Sequence, residues 1–170
     1  NTMGGLVNIY TLSPFRYQGL RLLAEYGSVN TARVSAGYYF KIGRNAGMSV
    51  TADVSRTDGY FRNLHNGRKT DKERQGSLRW KSVWRISDRM MAENTSSLQL
   101  TRQGGYPYEQ VGSAGVNYND TCFYRRTGVA DGLTVKWSGD VVELSSITSI
   151  QYLSDNMTLD QDFTTADYFT

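Results

Sequence analysis

Cysteine is all but absent: Cys122 is the only one in 170 residues, so no internal disulfide framework can form. Proline stands only at Pro14 and Pro107, which leaves long stretches free to run as uninterrupted strands. Histidine occurs once, at His65, and one His with one Cys cannot build a zinc site without several carboxylates. Asp155, Asp160 and Asp162 do not have the spacing of a calcium-binding loop and read as a solvated acidic segment. No glycine pattern of a phosphate-binding loop and no Ser–His–Asp arrangement is present, so neither an enzyme nor a cofactor is expected. No apolar run approaches the ~18 residues of a transmembrane helix. No charged-then-apolar leader opens the chain, and a targeting signal is expected to have been removed or to lie outside this segment. The net charge of +3 is spread along the chain, which gives little reason to expect nucleic acid as a partner.

What is present is alternation. In SLRWKSVWRI, Ser77 to Ile86, the residues Leu78, Trp80, Ser82, Trp84 and Ile86 interleave with Arg79, Lys81 and Arg85. Successive side chains on a strand point to opposite faces, so this stretch has one apolar and one cationic face. The same period recurs at 20–26, 32–41, 48–55, 133–137 and 142–152, and more faintly at 93–101. The pattern predicts about seven strands of roughly ten residues and no helix. The twelve tyrosines suit strands and the boundary between wet and dry surroundings.

Tight turns are expected at 44–47, 87–89 and 138–140, and long polar connections at 58–73, 103–130 and 155–170. In an up-and-down meander all the long connections then fall at one end, with the short link Gly27–Asn30 as the exception. A soluble β-sandwich would bury the apolar face as its core; a transmembrane β-barrel would turn it to lipid and line the lumen with the polar face. Three features favour the barrel. The connections are asymmetric in length. Aromatics cluster near strand ends, with Tyr38, Phe40, Trp84 and Trp137 toward the short turns and Tyr26, Trp80 and Tyr152 toward the long loops. Slipping the register by one residue would place Arg79, Lys81 and Arg85 in lipid, at roughly 2–4 kcal/mol each near the midplane.

GGLVNIYTLSP, Gly4 to Pro14, resembles the closing segment of the plug domain of TonB-dependent outer-membrane receptors, residue by residue over Gly4, Gly5, Leu6, Val7, Asn8, Ile9, Tyr10 and Thr11. The rest, including RTDGYFRN at Arg56–Asn63, is similar to the opening strands of such a barrel. The resemblance implies a division into residues 1–14, the C-terminal end of a plug, and residues 15–170, the N-terminal part of a barrel wall. The fold class expected is therefore all-β: an antiparallel up-and-down meander forming part of a large transmembrane β-barrel. The chain would be a fragment of a receptor in the outer membrane of a Gram-negative bacterium. Its function would be uptake of a scarce nutrient (an iron–siderophore, cobalamin or a glycan) and it would carry out no chemical reaction. The implied partners are outer-membrane lipid, the TonB inner-membrane complex, the nutrient and a surface lipoprotein. A complete small eight-stranded barrel and a soluble β-sandwich used for binding or adhesion remain the alternatives.

Large aromatic and arginine side chains are good anchors for a ligand. The candidate contacts are Tyr60, Phe61, Arg62 and His65 in the first long loop. In the second they are Tyr106, Tyr108, Phe123, Tyr124, Arg125 and Arg126. On the polar face, Arg33, Arg79, Lys81 and Arg85 are expected to meet the lumen or the plug, or to pair with acids such as Glu25 and Asp53.

Overall fold

A computed structural model describes residues 11–166. The segment Gly4–Tyr10, which carries most of the plug-like motif, lies outside the described residues. Seven strands form one antiparallel sheet in the order of the chain: β1 (Gly19–Gly27), β2 (Thr31–Ile42), β3 (Ala46–Thr57), β4 (Glu73–Ser87), β5 (Met90–Gln103), β6 (Phe123–Ser138) and β7 (Glu143–Thr158). β1 and β7 are its two edges. The only helical element among the described residues is a single 3-10 turn at Ser28–Asn30, where Val29 and Asn30 both take positive φ. No helix among them is long and apolar enough to cross a membrane, which says nothing of a crossing by strands.

The alternation located every strand, but several boundaries differ from expectation. β6 begins at Phe123, so the last eight residues of the stretch expected as a loop at 103–130 are strand. β7 runs on to Thr158. Both extensions lack hydrophobic contrast, and pairing along the whole of β6 with β7, from Phe123↔Thr158 to Ser138↔Glu143, supplies what periodicity does not. Phe123, Tyr124, Arg125 and Arg126 are consequently strand residues at the loop end of β6 rather than loop residues. Trp80 also moves. It shares a cross-strand row with Val50 and Tyr38, because β4 extends back to Glu73, and so stands at mid-strand rather than near the long loops.

The register sorts the side chains by face. Leu78 lies opposite Ala52 and Leu98, and Leu98 opposite Val129, which faces Tyr152. This face is apolar and open: Leu22 is 67% exposed, Val34 53%, Val54 59%, Leu144 59% and Ile150 73%. A polar patch interrupts it in mid-sheet, where Asp131 accepts from Ser96 Oγ at 2.5 Å and from Asn94 Nδ2 at 3.1 Å. Beside it, Trp80 Nε1 donates to the buried Ser82 hydroxyl at 2.6 Å.

The opposite face is polar, yet it is the better covered of the two near the short turns. The strap Thr11–Tyr17 crosses it there. Pro14 is fully buried against Gly47, where a Cβ would come within 3.2 Å of the proline ring and press on it. Phe15 lies under Arg85, with the guanidinium carbon 5.4 Å from the ring centre, and Tyr17 meets Tyr39 edge-on at 5.1 Å. Tyr39 and Val83 are buried on this side. A second small core, Val116, Tyr118 and Cys122, sits outside the sheet among the long connections.

Candidate functional site

Two surfaces carry the candidate residues: a cap built from the long connections, and a trough on the polar face.

The three long connections, 58–72, 104–122 and 159–166, pack into one cap. In the first, the Asp71 carboxylate accepts from the Tyr60 and Phe61 amides, both at 2.9 Å. Gly59, at φ +81°, leaves room for that carboxylate, into which any Cβ would run. The second connection is stitched to the first by Asn63, which is 1% exposed. Its Nδ2 donates to Tyr118 O at 2.8 Å, and its Oδ1 accepts from His65 N at 3.0 Å and Tyr118 N at 3.3 Å. The third joins through Asp160, also buried, whose carboxylate accepts from Phe163 N at 2.7 Å and Asp120 N at 3.4 Å. The Asp160 amide donates to Cys122 Sγ at 3.2 Å. Burial pushes the Tyr118 hydroxyl up to about 12, with Cys122 beside it adding to the rise. Burial also raises the Cys122 thiol above its ordinary value, against the lowering effect of the Asp160 amide.

The sequence candidates distribute unevenly over this cap. Tyr60, Phe61, Arg62 and His65 are exposed on the first connection. Tyr106 and Tyr108 stack at 5.6 Å; Tyr124 leans on Tyr106 at 6.5 Å, and Phe163 meets Tyr108 edge-on at 5.6 Å. These rings pack on one another, and Tyr108 still leaves about half its surface (49%) open. Phe123 lies beneath the Arg125 guanidinium at 4.5 Å. The Arg125–Arg126 doublet is split by the strand. Arg126 points to the polar face and forms a two-pronged pair with Asp155 at 2.8 and 3.0 Å, while Arg125 points to the apolar side.

On the polar face the four predicted cations behave differently. Arg33 pairs with Asp53 at 2.8 Å and Glu25 at 3.7 Å, both partners expected from the sequence. Lys81 is buried, 2.7 Å from Glu93, and donates to Thr11 Oγ1 at 3.1 Å. Arg85 covers Phe15. Arg79 lines an open trough of about 950 Å³ between the strap and β4–β7, with Glu93, Lys136 and Gln151 among its walls. Lys81 and Arg85 thus contact the strap that precedes β1, whereas Arg33 serves its neighbours in the wall. Among the described residues no group of three His, Cys, Asp or Glu side chains could hold a metal ion.

Sequence reasoning missed Asn63 and Asp71, and it read Asp155, Asp160 and Asp162 as a solvated acidic segment; Asp160 is instead buried where the loops meet, and Asp155 is a β7 residue paired with Arg126. It also missed a row of arginines that only the register brings together: Arg56, Arg74 and Arg102, in line with Arg125.

No family model matches the chain, and no curated protein matches it.

Proposed function

We propose that the chain forms part of the wall of a TonB-dependent outer-membrane receptor, with its apolar face toward lipid and its polar face toward a plugged lumen. The observation that carries the reading is the inversion of burial. Taking a Val, Leu or Ile side chain out of water is worth about 1.5–3 kcal/mol, and this sheet leaves many such side chains on one face uncovered. Patches of that size mark interaction or membrane surfaces. The polar face instead receives the strap, as a lumen wall would receive the end of a plug. The edges β1 and β7 also need partners, which further barrel strands would provide.

In this reading the cap is the outer surface, and Tyr60, Phe61, Arg62 and Tyr108 are its exposed anchors for a nutrient or for a surface lipoprotein. The receptor imports its ligand without transforming it, drawing on the TonB complex through the plug. Barrels of about 22 strands enclose such a plug. Fractionation of the native cells tests the proposal: the chain is expected in the outer-membrane fraction, extractable only with detergent, and its loss is expected to abolish growth on one limiting nutrient. Recovery in an aqueous fraction without detergent would overturn it in favour of a soluble binding module.

A further inference from the structure

The four arginines of the loop-end row form a continuous ladder. Arg56 lies directly opposite Arg74, Arg74 opposite Arg102, and Arg102 opposite Arg125. Adjacent strands are about 4.8 Å apart, so the ladder spans roughly 14 Å. All four residues are exposed, and all stand on the apolar face, two positions beyond Val54, Gly76, Leu100 and Thr127.

Like charges directly opposite one another on neighbouring strands are destabilising. None of the four has an ion pair among the described residues, although the same sheet pairs Arg33, Lys81 and Arg126 with acids. Arg56 reaches only the side-chain Oδ1 of Asn30, at 3.5 Å, and Arg125 only the Phe123 ring. The row therefore concentrates positive charge without neutralising it, along the border where the apolar face meets the cap.

We propose that this ladder binds the phosphates of an anionic membrane lipid, one carrying more than one phosphate, whose acyl chains lie along the apolar rows beneath. The inference rests on the reading of the apolar face as lipid-facing. Guanidinium groups engage phosphate oxygens in two-pronged fashion, and several in a line match several phosphates. The geometry selects a lipid over free phosphate, because headgroup and chains then meet a cationic row and an apolar surface at once. The polar face, where Arg126 and Arg33 are already paired, offers no such row.

The test uses the full chain reconstituted into vesicles of phosphatidylcholine, with and without a tenth of cardiolipin, and with inorganic phosphate added in a separate arm. Protection of tryptophan fluorescence from an aqueous quencher reports insertion; flotation against added salt reports headgroup binding. Wild type is expected to insert into both vesicles and to bind those with cardiolipin more tightly, with inorganic phosphate at equal phosphate concentration failing to compete. Arg74→Gln with Arg102→Gln is expected to lower that preference about tenfold or more. Arg74→Lys with Arg102→Lys is expected to retain part of it, and Arg44→Gln, in a short turn at the other end, all of it. Removing like charges should not lower the melting temperature in neutral detergent, which separates lost binding from lost fold. Insertion with no preference for cardiolipin, or a preference unchanged in the double Gln variant, overturns the ladder's role alone. Failure to insert into either vesicle overturns the membrane reading and the ladder's role with it.

Discussion

Lys81 Nζ donates to Thr11 Oγ1 at 3.1 Å while holding Glu93 at 2.7 Å, so one buried cation ties the strap to the wall across 70 positions of sequence. The strap has few other polar contacts, and Pro14 and Phe15 fix it by packing. Lys81→Met removes the hydrogen bond and leaves Glu93 without its cation. The expected cost is about 1–3 kcal/mol, the penalty for stranding a partly buried polar partner. Tryptic cleavage after Arg16 should accelerate in this variant, and an unchanged rate would show that the strap is held without Lys81.

Asn63 is the analogous link in the cap. Asn63→Ala strands the Tyr118 amide and carbonyl, at roughly 2–3 kcal/mol. The loss should stay local, because the cap has its own small core and the sheet has its own ladder. Asn63→Asp should be worse, since a carboxylate cannot donate to Tyr118 O. Limited proteolysis at Arg62 and Arg68 checks both: faster cleavage there, with the strands still resistant, is the expected pattern.

The cap should also loosen at alkaline pH. Cys122 and Tyr118 are both raised by burial, so the folded cap favours their neutral forms. The stability this contributes is complete below their ordinary values of 9.0 and 10.0, and is lost as pH rises through the folded values, about 12 for Tyr118. At about pH 8, alkylation of Cys122 should lag far behind that of a free thiol, then climb steeply above about pH 9 as the cap opens. A thiol that reacts at the free rate near pH 8 would contradict the burial of this cluster.

Much of the wall was legible in the sequence, because β1 to β4 and most of β7 are written in period-two contrast such as Leu78–Arg79–Trp80–Lys81, and β5 more faintly. The first half of β6 was not. Its outward positions Phe123, Arg125, Thr127 and Val129 and its inward positions Tyr124, Arg126 and Gly128 carry no consistent polarity, and strand pairing alone fixes them. The arginine ladder was hidden for a related reason: its members lie on four strands, and no local window contains two of them in register. The cap residues Asn63 and Asp160 act across loops distant in sequence, so their burial has no local signature. Arg33 was legible because its partners Glu25 and Asp53 lie one strand away on either side.

Neighbouring substitutions on one strand should report opposite environments. Leu133→Arg places a cation on the apolar face in mid-sheet and is expected to cost roughly 2–4 kcal/mol in a bilayer. Thr134→Arg, one residue on, points into the trough of the polar face and should change stability by less than about 0.5 kcal/mol. Reversible denaturation from vesicles compares them. Equal costs would mean that the two faces are not distinguished by lipid.

The orientation of the wall can be read from the chain's own fluorescence, because all three tryptophans, Trp80, Trp84 and Trp137, stand on the apolar face. In vesicles whose acyl chains carry bromine, their emission should be strongly quenched, while acrylamide in the water should have little effect. Strong quenching by acrylamide with no response to brominated chains would contradict a lipid-facing sheet.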